Sequence, residues 1–127
     1  MLNRQEILDL LGETALDKTE YWVTSGAAMV LYGLRDRTRD IDLGCTSPMA
    51  DRLERKGYPV EILQDRSRKI VYSDMIELFE NWLEGDVVFL EGLPVVSLAG
   101  LLKMKEALGR EKDLEDIRLI KEQLSKC

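Results

Sequence analysis

Thr38-Arg39-Asp40-Ile41-Asp42-Leu43 constrains the fold of this chain more than any other segment. Read as a strand, its side chains alternate between faces, so Asp40 and Asp42 project from one side while Ile41 and Leu43 enter a core. Carboxylates held side by side repel each other, and a divalent hard cation with oxygen ligands is the usual remedy. Upstream, the apolar run Tyr21-Trp22-Val23 leads into the small residues Ser25-Gly26-Ala27-Ala28. A strand, a tight turn and a second strand with paired carboxylates suggest a site for metal-bound phosphates.

The remaining side chains narrow the chemistry. Histidine is absent, which excludes serine–histidine and cysteine–histidine catalysis, histidine-ligated zinc, and histidine as general acid or base. Carboxylates, lysine, arginine, hydroxyls or a metal must do the work instead. A net charge of −6 argues against broad electrostatic capture of nucleic acid. A local positive pocket is still compatible with it: Arg35, Arg37 and Arg39 crowd the approach to Asp40, and Lys103, Lys105, Arg110 and Lys112 cluster near the other end. No apolar run approaches the ~20 residues of a membrane helix, and the N-terminus is too polar for a signal peptide. Cys45 and Cys127 form no disulfide framework. A cytoplasmic protein with reduced thiols is the simplest expectation.

Asn3 caps an expected helix over residues 3–17, whose apolar positions from Ile7 to Leu16 share one face. Trp22 and Val23 read as a buried strand, residues 27–32 as a short helix closed by Gly33, and residues 40–44 as a strand. Ser47 followed by Pro48 announces a helix over 49–56 that stops at Gly57. Strands are expected at 60–63, 69–72 and 76–79, the last two paired through Ser73-Asp74, with an edge strand at 87–90. Ser97 caps a helix over 98–108 ended by Gly109, and Leu114, Ile117, Leu119, Ile120 and Leu124 stripe a final amphipathic helix. With 127 residues this makes one domain of α+β or α/β class, its helices flanking a mixed sheet.

The order of strand, Ser25-Gly26 turn, short helix and Asp40-Ile41-Asp42 strand resembles the nucleotidyltransferase superfamily of DNA polymerase β-like fold. Tyr32-Gly33-Leu34-Arg35, then Thr38 and Asp40-Ile41-Asp42, is similar to a small bacterial branch that includes nucleotidyltransferase components of abortive-infection toxin–antitoxin systems. The tail resembles the same branch, with lysines in Leu101-Leu102-Lys103-Met104-Lys105 and then Gly109-Arg110-Glu111-Lys112-Asp113 before a last helix. The likeness spans roughly residues 20 to 120, and it implies an α+β nucleotidyltransferase-like mixed sheet as a single minimal domain over 1–127.

The resemblance implies transfer of a nucleoside monophosphate from a nucleoside triphosphate to an acceptor hydroxyl. Mg²⁺ or Mn²⁺ would be held by Asp40, Asp42 and a third carboxylate in a two-metal arrangement. Glu77 is the choice for that third ligand and candidate base, because its apolar neighbours Ile76 and Leu78 leave it on the opposite face of its strand. An ordinary solvent-facing role fits Glu77 equally well, and Asp74 is the fallback. Ser25, Gly26, Arg39 and Lys105 are the expected nucleotide phosphate contacts. Ser25 stands where the family pattern has its first glycine, and Ala27 where many members carry serine or threonine. Asp113 either positions a lysine or caps the last helix, with capping favoured on physical grounds. Arg35 and Arg39 are expected to pair with Asp40 or Asp42 when no metal is bound. Trp22 and Trp82 are expected in the core or at its rim. The acceptor is open between a small molecule, a protein and an RNA end. A catalytically weak or inactive nucleotidyltransferase-fold binding or regulatory partner of toxin–antitoxin type is the alternative, and a homodimer or hetero-complex fits either reading.

Overall fold

The computed structural model describes residues 1–126; Cys127 lies outside the described residues. Among these, seven strands form one mixed sheet in the order β3-β4-β5-β2-β1-β7-β6. At its centre, β1 (Tyr21–Val23) runs antiparallel to β2 (Ile41–Cys45), and β2 runs parallel to β5 (Ile76–Glu80). Antiparallel β4 (Arg68–Val71) and β3 (Val60–Ile62) extend the sheet on one side. On the other side, β7 (Leu93–Val96) lies parallel to β1 and pairs with the edge strand β6 (Val87–Leu90).

The alternation read from the sequence sets the faces. Val23, Leu43, Leu78, Ile70 and Val95 fall in register across five strands and are all 0% exposed, a continuous apolar row. Each such side chain contributes roughly 2 kcal/mol on leaving water. Ile41 and Leu43 are buried as expected, whereas Asp42 between them keeps partial exposure. On the opposite face, Gly44 admits the indole of Trp22, whose Nε1 donates to the carbonyl of Trp82 at 2.8 Å. A Cβ on Gly44 would collide with both groups.

Helix α1 (Arg4–Gly12) has the expected Asn3 cap, reinforced by a reciprocal capping box with Glu6. It ends five residues short of the expected 17. Gly12 weakens the last turn, and Thr14 Oγ1 donates back to the carbonyl of Leu11 at 2.9 Å, giving the chain a local alternative to further helix. Helix α2 (Ser25–Leu31) packs on β2, with Gly33 beyond it at φ +77°. In α3 (Ser47–Arg55) the cap is Thr46, not Ser47: Thr46 Oγ1 accepts from the Met49 amide, while Ser47 is already helical and accepts from Asn81. Arg68 clamps α3 to the sheet through Asp51, Glu54 and Glu80, and its hydrogen bonds hold the Glu80 carboxyl down at about 2.

β7 has no counterpart in the sequence reading. Pro94 removes an amide donor and argues against an interior strand. The Glu91-Gly92 turn, at φ +53° and +77°, nevertheless folds β7 back on β6, and all four of its residues are buried. Helix α4 (Leu98–Leu108) begins at the Ser97 cap and ends at Gly109 as expected. A 3-10 turn, Glu111–Asp113, then leads into α5 (Leu114–Ser125), which packs on α4. None of the described helices is long and apolar enough to cross a membrane. Cys45 is buried in the core, where burial above all pushes its thiol up to about 12.

Candidate active site

A cleft of about 590 Å³ opens where β2, the start of α2 and the α4–α5 junction meet. It brings together Ser25, Gly26, Arg39, Asp40, Asp42 and Lys105, six of the seven residues singled out from the sequence. Asp40 sits in the bend just before β2 and Asp42 lies within the strand. Glu77, the seventh, is not in the cleft lining. It lies next door on β5, directly in register with Asp42. Asp74 occupies the exposed turn between β4 and β5.

Asp42 is the electrostatic centre of this arrangement. Burial first, and then the negative charges of Asp40 and Glu77, push its carboxyl up to about 6 against the opposing charges of Lys69 and Arg110. The donor set suits a hard cation: two aspartates two residues apart and a glutamate in register with the second, which carries a desolvation and repulsion penalty that a positive ion removes. No three acidic or thiol groups converge into a ready cage among the described residues. Glu77 is engaged elsewhere, with Lys69 Nζ at 3.5 Å from its Oε2.

The turn between β1 and α2 has a specific backbone. Thr24 is fully buried, and its amide and hydroxyl both donate to the carbonyl of Asp42, at 3.0 and 2.9 Å, tying the turn to the carboxylate strand. Ser25 then adopts φ +53°, a left-handed conformation that glycine takes at little cost. Serine here keeps a glycine geometry. Gly26 is pressed against the next loop: a Cβ would lie 2.5 Å from Thr38 Oγ1 and 3.2 Å from Arg35 Nη1. Ser25→Gly is expected to raise stability by about 1 kcal/mol by relieving the left-handed strain. Urea denaturation measures this, and a loss of stability would show that the serine hydroxyl does more than fill the turn.

The basic side of the cleft is built differently from expectation. Lys105 is 4% exposed, and its Nζ lies 2.9 Å from Asp116 Oδ2 and 3.3 Å from Asp113 Oδ1, both carboxylates being buried. Arg110 closes on Asp113 with Nε–Oδ2 at 2.6 Å, and Arg35 reaches Asp116 with Nε–Oδ1 at 3.2 Å. Burial alone would raise the Asp113 carboxyl; the hydrogen bond from Arg110 and the charge of Lys105 more than reverse that. Asp113 thus positions Lys105 and Arg110, and no side-chain capping bond to α5 is formed. Arg35 pairs with Asp116 rather than with Asp40 or Asp42. Arg37, Arg39 and Lys112 line the cleft with no ion-pair partner among the described residues. Asp116 was within reach of the sequence, since it follows Asp113 by three positions, across the start of the last helix. Lys69 was not, because its contact with Glu77 depends on strand register.

These features define the fold class: a single α+β domain whose mixed sheet carries a carboxylate-bearing cleft. The structure is similar to that of a candidate nucleotidyltransferase, TM1012 of Thermotoga maritima, over 99% of this chain and 97% of that one, with a TM-score of 0.61 and 17% identity. It is also similar to the lincosamide antibiotic adenylyltransferase LnuA in its lincomycin-bound form, over 91% and 92% of the two chains, with a TM-score of 0.54 and 20% identity. At these identities the likeness is one of fold. No protein-family model matches the sequence, and no curated protein matches it.

Proposed function

We propose that this chain is a Mg²⁺- or Mn²⁺-dependent nucleotidyltransferase that moves a nucleoside monophosphate from a nucleoside triphosphate to an acceptor hydroxyl, releasing pyrophosphate. The observation that carries this reading is Asp42: a carboxylate raised by burial and by Asp40 and Glu77, opening on a basic cleft within a nucleotidyltransferase-type fold. Asp40 and Asp42 would hold the divalent ion, with Glu77 as the third ligand and candidate base. Such an ion supplies charge neutralisation at the reacting phosphates and eases ionisation of the acceptor hydroxyl.

The chain's own groups then have distinct tasks. The Ser25-Gly26 turn presents its amides and hydroxyl to the donor phosphates, and the side chains of Arg37, Arg39 and Lys112 balance their charge. Lys105 contributes a fixed positive charge in the cleft wall, held by Asp113 and Asp116. Acceptors consistent with the cleft are a small-molecule hydroxyl, a protein side chain or an RNA 3′ end. The similarity of LnuA, whose structure holds lincomycin, supports testing the first class.

The test is incubation with each labelled nucleoside triphosphate, Mg²⁺ and a cell lysate, with Asp40→Asn as the control. Label transfer that disappears in the variant is the expected result; no transfer with any nucleotide would overturn the reading. A second reading, a binding or regulatory partner of toxin–antitoxin type, draws on the serine in the turn and on the absence of a ready three-carboxylate cage among the described residues. Calorimetry separates the two. Tight, Mg²⁺-dependent nucleotide binding favours the enzyme, and a stable hetero-complex without nucleotide binding favours the partner.

A further inference from the structure

Glu77 and Asp42 are direct neighbours across parallel strands, so two negative side chains share one face of the sheet. Like charges placed so are destabilising unless a cation intervenes. The register places the nearest cation on the far side of Glu77, on β4. Val71 on β4 lies opposite Glu77, so Lys69, two residues earlier, points to the same face diagonally from it. Glu61 on β3 lies opposite Lys69. Asp42, Glu77, Lys69 and Glu61 therefore form a charged row across four strands, with one ammonium among three carboxylates. Lys69 Nζ lies 3.5 Å from Glu77 Oε2 and 3.3 Å from Glu61 Oε1, and its side chain is 24% exposed.

We infer that Lys69 is the resident counter-cation of the carboxylate site: it holds Glu77 in the metal-free protein, and Glu77 must exchange this ammonium for a divalent ion. Lys69 is thus a positioning residue that lowers metal affinity and keeps the strand-borne carboxylates compatible with folding when no ion is present. Glu61 gives the ammonium a second partner, so that Lys69 stays neutralised after Glu77 leaves it. No covalent step is involved, only the replacement of one cation by another. The inference rests on the proposed metal site at Asp40, Asp42 and Glu77, and it concerns which group competes for that site.

A double-mutant cycle read by Mn²⁺ calorimetry, without nucleotide, tests it. Lys69→Met is expected to tighten Mn²⁺ binding roughly fivefold, the size of a partly exposed ion pair. In a Glu77→Gln background the same change should tighten binding by less than about twofold, because the contact it removes is already gone. Glu61→Gln should weaken binding by leaving the ammonium to Glu77 alone. Equal tightening in both backgrounds would overturn the inference while leaving the metal site standing, since Lys69 would then act only through its field on Asp42. Absence of Mn²⁺ binding by every variant, wild type included, would overturn the metal site itself and this inference with it. The melting temperature supplies a second measure on the same proteins. Its rise on adding Mn²⁺ should be larger in Lys69→Met than in wild type, and an equal or smaller rise counts against Lys69.

Discussion

In the absence of divalent ions at pH 7.5, Asp42→Asn should melt about 5 °C above the wild-type protein, and with Mg²⁺ present it should show roughly a thousandfold less transfer activity than the wild type. The stability half of this expectation follows from the site's electrostatics. The Asp42 carboxyl ionises near 3.8 in the unfolded chain but only at about 6 in the fold, chiefly because of burial, then because of Asp40 and Glu77. Between those values the native state binds the proton that the unfolded state has lost, so stability falls as pH rises from about 4 to 6. Above 6 the full penalty is present, about 1–2 kcal/mol once the partial exposure of the side chain is allowed for. Asparagine has no such charge. Its advantage should be constant above pH 6, fade as pH falls, and vanish near pH 4. Calorimetric melts in chelator across this range measure it. A pH-independent difference, or a less stable Asn variant at pH 7.5, would remove Asp42 from the centre of the charge cluster. Mg²⁺ should raise the melting temperature of the wild type and leave that of Asp42→Asn nearly unchanged.

Lys105→Met should cost about 3 kcal/mol of folding stability, enough to lower the melting temperature by roughly 10 °C. The ammonium of Lys105 sits between the buried carboxylates of Asp113 and Asp116, and methionine leaves both without it. Arg110 and Arg35 still cover their outer oxygens, which keeps the cost at the low end for a broken buried network. A lysine that served only as a phosphate contact would behave in the opposite way: its loss would weaken triphosphate binding and leave stability nearly unchanged. Urea denaturation of Lys105→Met, set beside the double variant Lys105→Met/Asp116→Asn, decides between them. Partial recovery in the double variant identifies the stranded carboxylate as the cause, and a stability change under about 0.5 kcal/mol for the single variant would exclude the structural role.

Much of this architecture was legible because it is local. Ile41 and Leu43 alternate with Asp40 and Asp42, Asn3 and Glu6 form a capping box, and Ser97 and Gly109 bracket α4. Each signal depends on residues within four positions of one another, where backbone geometry leaves few alternatives. Local rules also misled. Ser47-Pro48 reads as cap and first helical residue, yet the cap is Thr46, because either hydroxyl fits and the neighbouring Asn81 engages Ser47. Pro94 speaks against a strand, yet β7 forms because it pairs with β1 and β6 on either side and buries all four of its side chains.

By itself, the sequence determined the chemistry available to this protein: no histidine, two aspartates on one side of a strand, a small-residue turn before them, and basic residues both directly before that strand and near the C-terminal end. Residue types and alternation are properties of short segments, so no fold is needed to read them. Only the tertiary structure decided how those charges are shared. Glu77 meets Asp42 because β5 lies in parallel register beside β2, yet it is held by Lys69 on a third strand. Arg35, expected at Asp40 or Asp42, instead closes on Asp116, and Lys105 in the cleft wall is held by Asp113 and Asp116. The reason is physical: a buried charge takes the nearest opposite charge the packing offers, and distances between elements far apart in the chain are set by the sheet and the helix junction.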